Sequence, residues 1–218
     1  MSGSPADSRL YRALSLTTEL VVLNLVLVLT SLPLVTAGAG LAACVVSCLR
    51  IVQGTGGSSL RNYFAAWRRG FLPATIGWLA TLALTGLLVW EWLIAGQLIS
   101  AGAALAIRAV LLLVGLLVCL VSIWFWPLLA IRISADESVR LAELLPLART
   151  ALLASIKYLP RSLLGVVIVA LPLVIGLFSV EIGARLLIWF GLIGWALASY
   201  LVVLVLRRPL GIELPADD

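Results

Sequence analysis

The chain has 218 residues, of which 63% are hydrophobic and only 11% are charged, and its formal net charge is +5. Soluble domains contain about 45–50% apolar and about 25% charged residues, so this composition excludes a water-soluble globule and a disordered chain. We therefore predict an all-α polytopic transmembrane helix bundle, a single integral membrane domain over residues 1–218.

The first predicted span covers about residues 20–35 and carries two polar side chains. Pro33 should disrupt or kink its end. Glu19 lies near the cytoplasmic end and Asn24 lies deeper, and polar groups at membrane depth are functional hypotheses. Two interpretations stay open: both residues line a polar path for a solute, or Glu19 reaches interfacial water while Asn24 hydrogen-bonds a neighbouring helix.

The second predicted segment, residues 37–52, is short and rich in small residues. Gly40, Cys44 and Cys48 recur at a spacing of four, which allows close approach of helices in a membrane. At 1.5 Å per residue the segment is short for a hydrocarbon core of ~30 Å. It is therefore either a tilted span or part of a re-entrant hairpin.

Cofactor and metal chemistry have little support in the sequence. The chain has no histidine and only three cysteines. Cys44 and Cys48 are interpreted as packing residues rather than a redox pair, because a free cysteine behaves as a small hydrophobic residue. Leu41–Cys44 also matches a lipobox, although the apolar run continues past it. We predict no catalytic residue, no cofactor and no metal.

A basic amphipathic helix is predicted after the turn-rich loop 53–59. Its large apolar residues recur at helical spacing: Leu60, Phe64, Trp67 and Phe71. Arg61, Arg68 and Arg69 lie on other faces, a pattern typical of a helix in the membrane interface. A third span follows over about residues 71–94, and its paired tryptophans, Trp90 and Trp92, are typical of the aromatic belt.

The second half of the chain predicts three further spans. The fourth covers about residues 106–131. A capping box at Ser134–Glu137 then opens a second amphipathic helix that runs to Tyr158. The fifth and sixth spans cover about residues 163–180 and 186–206, and a short acidic tail follows.

The positions of the cations predict the orientation in the membrane. With a cytoplasmic N-terminus, all of the 15 Lys and Arg except Arg108 and Arg185 fall on the inner side. Cytoplasmic loops are enriched in these residues, so both termini are predicted inside. The two outer arginines could pair with Glu91 and Glu181.

Two short segments suggest an internal repeat. Residues 71–75 and 158–162 share an aromatic–Leu–Pro–x–Ser/Thr pattern, and each ends an amphipathic stretch. The span before each stretch ends in an aliphatic–Arg pair, Leu49–Arg50 or Ile131–Arg132. A parallel repeat of about residues 37–95 and 106–180 follows from this, with chance similarity as the alternative.

The first third of the chain carries a family resemblance. Its motifs are Leu23–Asn24, the Ser–Leu–Pro–Leu–Val–Thr run 31–36 and the aromatic–basic run 63–71. Over about residues 18–85 the chain resembles the YesL family of bacterial integral membrane proteins, whose function is not established. It departs from the family in its Ala/Gly/Cys-rich second helix. The resemblance implies a multi-pass protein of the bacterial cytoplasmic membrane and an accessory role in carbohydrate uptake.

We therefore predict a non-enzymatic accessory or scaffold protein linked to carbohydrate uptake of the ATP-binding cassette type. Its partners would be the lipid bilayer and importer permease subunits, or a second copy of the chain, and not nucleic acid. The alternative is a small-solute transporter or channel with a polar path near Asn24. The candidate polar and interaction positions are Glu19, Asn24, Pro33, Thr36, Arg61, Arg68 and Arg69.

Overall fold

A computed structural model describes residues 5–55, 59–98, 101–135 and 139–212. Within these ranges the chain forms α-helices and no strand. The α-helices are α1 Pro5–Ser31, α2 Ala37–Val52, α3 Ser59–Leu98, α4 Ala101–Ser134, α5 Leu144–Lys157, α6 Leu159–Gly176, α7 Val180–Trp189 and α8 Trp195–Leu206. A π-helical segment, Phe190–Gly194, joins α7 to α8 as one continuous helical rod.

Among the described residues, six helical segments are long and apolar enough to cross a membrane. They are Ala13–Ser31, Leu34–Val52, Leu60–Gln97, Gly102–Ser134, Leu159–Gly176 and Val180–Leu206. The prediction of an all-α, multi-pass bundle is thereby confirmed. An even number of crossings returns the chain to the side on which it began, which fits the expectation that both termini share one side.

The turn between α1 and α2 follows from Pro33. Helix α1 ends at Ser31, and Pro33 takes an extended conformation before the 3₁₀ turn Leu34–Thr36. The predicted disruption at Pro33 is thus confirmed. The turn and α2 together give the 19-residue segment Leu34–Val52, about 28 Å of helix, which is close to the thickness of the hydrocarbon core.

The first predicted interfacial helix is not a separate element. Residues 59–98 form one helix of 40 residues, about 60 Å long, with Pro73 inside it. Helix α2 packs against this region closely: a Cβ on Gly38 would lie 2.4 Å from Cβ of Trp78 and 2.5 Å from the Ala74 carbonyl oxygen. Close packing along α2 holds α3 in one piece, so the predicted boundary near Phe71 is wrong.

The second predicted amphipathic helix is a separate element but begins later than expected. Ser134 ends α4, and α5 starts only at Leu144, after the 3₁₀ turn Leu141–Glu143. The capping-box residues Asp136 and Glu137, like the acidic tail 213–218, lie outside the described residues. Helix α6 begins at Leu159, four residues before the predicted start of the fifth span.

The core lies toward the end of the bundle that carries most of the arginines. Leu23, Leu49, Tyr63, Trp124 and Leu206 are among its largest fully buried side chains. The opposite halves of α3 and α4, and the turn between α6 and α7, expose large apolar side chains instead. In a bilayer such surfaces face the acyl chains.

Candidate functional site

Asn24 is the most deeply buried polar residue on α1, with no exposed surface. Its amide nitrogen donates to the carbonyl oxygens of Phe190 and Gly191, each at 2.8 Å. Its Oδ1 accepts a hydrogen bond of 3.0 Å from the backbone nitrogen of Ala196. One side chain of α1 therefore binds three backbone groups of the helical rod at the other end of the chain.

Two partners of Asn24, Phe190 and Gly191, lie within the π-helical segment Phe190–Gly194, and the third, Ala196, lies two residues after it. A π-helical turn inserts one residue into the α-helical ladder and displaces the hydrogen bonds around it. Buried backbone groups that lose their helical partners need others, especially in a membrane. Asn24 supplies them, so its geometry corresponds to the interpretation in which it hydrogen-bonds a neighbouring helix.

Glu19 is half-buried on α1 and does not join Asn24 in a polar track. Five residues separate the two along the helix, which at 100° per residue places them about 140° apart around its axis. In the described part of the chain no hydrogen bond or ion pair links Glu19 to Asn24. The two candidates from the first span thus lie on different faces.

Pro33 and Thr36 belong to the turn between α1 and α2. The Thr36 hydroxyl donates toward the carbonyl oxygens of Thr30, at 2.6 Å, and Pro33, at 2.9 Å. Pro33 itself is exposed and Thr36 is half-buried. The Thr36 hydroxyl therefore satisfies the Thr30 carbonyl, which belongs to the last turn of α1.

Two side chains of helix α3 form hydrogen bonds with the region of this turn. The hydroxyls of Thr30 and Tyr63 lie 2.6 Å apart, and the Trp78 indole nitrogen donates to the Leu34 carbonyl oxygen at 2.9 Å. Sequence reasoning named Tyr63 only as part of a motif and assigned no role to Thr30 or Trp78. Each motif run is thus bound to a residue just outside the other run, Tyr63 to Thr30 and Leu34 to Trp78.

Arg61, Arg68 and Arg69 are exposed near the start of α3. Spacings of seven and eight residues place them on one side of the helix. At the nearby end of α2, Nη1 of Arg50 donates to Oδ1 of Asn62 at 2.7 Å. The start of α3 therefore carries three exposed cations on one side of a single helix.

A second buried polar cluster lies where α4 meets α5 and α6, and sequence reasoning missed it. The Trp124 indole nitrogen donates to Oγ of Ser162 at 2.7 Å, and the Trp124 ring stacks on Tyr158 with centroids 5.5 Å apart. Oγ of Ser162 donates in turn toward the carbonyl oxygens of Ser155, at 3.0 Å, and Tyr158, at 3.1 Å. The repeated aromatic–Leu–Pro pattern was the available signal.

A groove of about 160 Å³ opens between α2, α4, α6 and α8. Apolar side chains such as Leu41, Ile123 and Val169 form most of its wall, with the hydroxyls of Ser122 and Ser199. None of its described lining residues is ionisable, and Asn24 is not among them. The groove suits an apolar occupant better than an ion.

The remaining sequence candidates are placed as follows. Cys44 and Cys48 are free and buried, and Sγ of Cys48 lies 3.7 Å from the Ala196 carbonyl oxygen. The described residues contain no group of three or more His, Cys, Asp or Glu side chains that could hold a metal ion. Arg185 pairs with Glu181 at 2.6 Å as expected. Among the described residues Arg108 forms no ion pair with Glu91.

Comparison with known proteins finds a similarity for only part of the chain. No curated protein and no solved structure matches it. The matched part includes Asn24, the turn at Pro33, all of α2 and α3 as far as Trp92. These residues, 20–92, match the model of a family described as "Protein of unknown function, DUF624".

Proposed function

We propose that this protein is a non-enzymatic accessory component of a carbohydrate importer of the ATP-binding cassette type, in a bacterial cytoplasmic membrane. The similarity of residues 18–85 to the YesL family suggests this setting. The match of residues 20–92 to a family of uncharacterised proteins is compatible with it. Permease subunits of the importer would be its protein partners.

The observation that carries the proposal is the cationic end of the bundle. Besides Arg61 and Arg69, exposed cations lie there on α3, on α5 and on the segments before α5 and after α8: Arg68, Arg140, Arg149, Lys157 and Arg208. Arg132 is held at 3.1 Å from Glu143, so one further cation there is neutralised within the chain. An excess of exposed cations favours docking of an acidic cytoplasmic segment of a partner.

The interior supports a scaffold better than a carrier. Both amide hydrogens of Asn24 and its side-chain oxygen form hydrogen bonds with backbone groups of residues 190–196. Trp124 and Ser162 likewise use their polar atoms on each other and on α5. These contacts join helices. Among the described residues, those that line the groove between α2, α4, α6 and α8 include no ionisable side chain.

Affinity purification from native membranes tests the docking surface. We expect permease subunits to co-purify with the wild-type chain, to be reduced several-fold by Arg68→Glu and to be unchanged by Arg185→Glu. Arg185 is the matched control because it is an exposed arginine at the opposite end of the bundle. Failure to recover any permease, together with unchanged sugar uptake after deletion, would contradict the proposal.

The transporter alternative is tested separately in proteoliposomes. Solute flux by the wild-type protein that is lost in Asn24→Leu, while the variant keeps its unfolding free energy in detergent, would replace the accessory role by a transport role. Absence of flux for sugars and small ions, in protein that remains folded, supports the accessory role.

A further inference from the structure

A second groove, of about 350 Å³, lies between α3 and α4 at the end of the bundle opposite the cationic surface. Its walls include Leu88, Val89 and Trp92 from α3 and Leu112, Gly115 and Leu116 from α4. These helix halves expose large apolar side chains, so the groove opens on the surface that faces acyl chains. The occupant must therefore be apolar over most of its length.

The cationic side chain of Arg108 lies at the end of this groove that is formed by Trp92. Arg108 precedes the groove residue Leu112 by one helical turn, and its guanidinium carbon lies 5.3 Å from the centroid of the Trp92 ring. The guanidinium also packs on the backbone of Gly96, where a Cβ would lie 2.5 Å from Nη2. Trp92, which itself lines the groove, thus fixes the cation beside the apolar channel.

The charge of Arg108 is not balanced by the described part of the chain. Its Nε is buried without a hydrogen-bond partner, and the nearby Glu91 does not pair with it. By contrast Arg185, on the same side of the membrane, has an ion pair with Glu181 at 2.6 Å. A half-buried cation without an internal ion-pair partner favours an anionic ligand.

We propose that this groove binds an anionic phospholipid, with the phosphate on Arg108 and one acyl chain between α3 and α4. Charge complementarity selects the headgroup, because an arginine fork donates paired hydrogen bonds to phosphate. The apolar walls of the groove favour binding of the lipid's acyl chain. Arg108 lies near the start of α4 beside Trp92, an aromatic residue of the predicted interfacial belt, where lipid headgroups are within reach.

Gly115 allows the groove to be filled without disturbing the fold. A Cβ built on Gly115 meets no heavy atom within 4 Å, and the same holds for Gly86, which does not line the groove. Gly115→Leu and Gly86→Leu are therefore a matched pair of added side chains. Arg108→Gln and Arg185→Gln are a matched pair of removed charges.

Native mass spectrometry of the detergent-solubilised protein measures the site. The protein is mixed with equal amounts of phosphatidylglycerol and phosphatidylcholine that have identical acyl chains, and retained adducts are counted. We expect the wild type to prefer phosphatidylglycerol, Arg108→Gln to reduce that preference about tenfold, and Arg185→Gln to leave it unchanged. Gly115→Leu should lower retention of phosphatidylglycerol to a similar extent, whereas Gly86→Leu should not.

Three results would overturn the proposal. Equal effects of Arg108→Gln and Arg185→Gln would show that net charge, not a site, attracts the lipid. Full retention of phosphatidylglycerol by Gly115→Leu would show that the lipid does not occupy the groove, even if its headgroup contacts Arg108. Dimer peaks that Gly115→Leu abolishes, with no preferred lipid adduct, would assign the groove to a second copy of the chain instead.

Discussion

The two aromatic–Leu–Pro segments take different structures although they share one pattern. At Phe71–Thr75 the proline lies inside the unbroken helix α3. At Tyr158–Ser162 the helix stops at Tyr158, whose backbone has φ −114° and ψ 41°, and α6 begins at Leu159. Proline removes one backbone donor in both places, so the proline alone does not decide whether the helix breaks.

The preceding helix differs between the two regions. Seven residues before the aliphatic–Arg pair, α4 carries Trp124 whereas α2 carries Ala42. Trp124 stacks on Tyr158 and binds Ser162, whose hydroxyl satisfies the Ser155 carbonyl at the break. Beside α2 the small residues permit close backbone approach, and a continuous helix packs best there. The helix break at Tyr158 is therefore stabilised by a side chain of the neighbouring helix, Trp124 of α4.

Removal of Trp124 should have the largest effect on this comparison. Trp124→Ala deletes a fully buried side chain together with its stacking and its hydrogen bond. We expect the unfolding free energy in detergent to fall by about 3–5 kcal/mol. Trp124→Phe keeps the stacked ring and serves as the control, with a smaller loss. An unchanged stability in Trp124→Ala would show that Trp124 does not stabilise the helix break at Tyr158.

A side chain on Gly38 should separate α2 from α3. Gly38→Val places methyl groups where a Cβ already meets Cβ of Trp78 at 2.4 Å. Because backbone atoms of α3 cannot swing aside, we expect a loss of about 1–3 kcal/mol in unfolding free energy. Gly86→Val, with nothing within 4 Å of its Cβ, should cost little in packing. Equal losses in both variants would indicate a β-branching effect.

Composition and periodicity predicted the bundle, the six spans and the end of α1 at Pro33, because these depend on hydrophobicity and on local backbone chemistry. They also predicted the Glu181–Arg185 pair, which is a contact within one helical turn. They did not predict the continuity of α3, nor the π-helical segment that Asn24 binds, since both depend on residues far apart in the chain. Asn24 and Ala196 are separated by 172 positions.

The serine and threonine that end the two patterns should differ in importance. Ser162 is the acceptor of the Trp124 indole, so Ser162→Ala leaves a buried donor without a partner. We expect a loss of about 1–2 kcal/mol, as for other polar contacts between membrane helices. Ser162→Thr keeps the hydroxyl and is the control. A neutral Ser162→Ala would mean that the break at Tyr158 is held by stacking alone.

The smallest effect is expected at Thr75, the counterpart of Ser162 in the first pattern. Thr75 is 7% exposed, and its hydroxyl has no hydrogen-bond partner in the described part of the chain. Thr75→Val replaces that hydroxyl by a methyl of similar shape, so the unfolding free energy should stay within about 0.5 kcal/mol or rise slightly. A loss as large as that of Ser162→Ala would show that the hydroxyls of the two patterns contribute equally to stability. The contrast between the break at Tyr158 and the unbroken α3 would then need another cause.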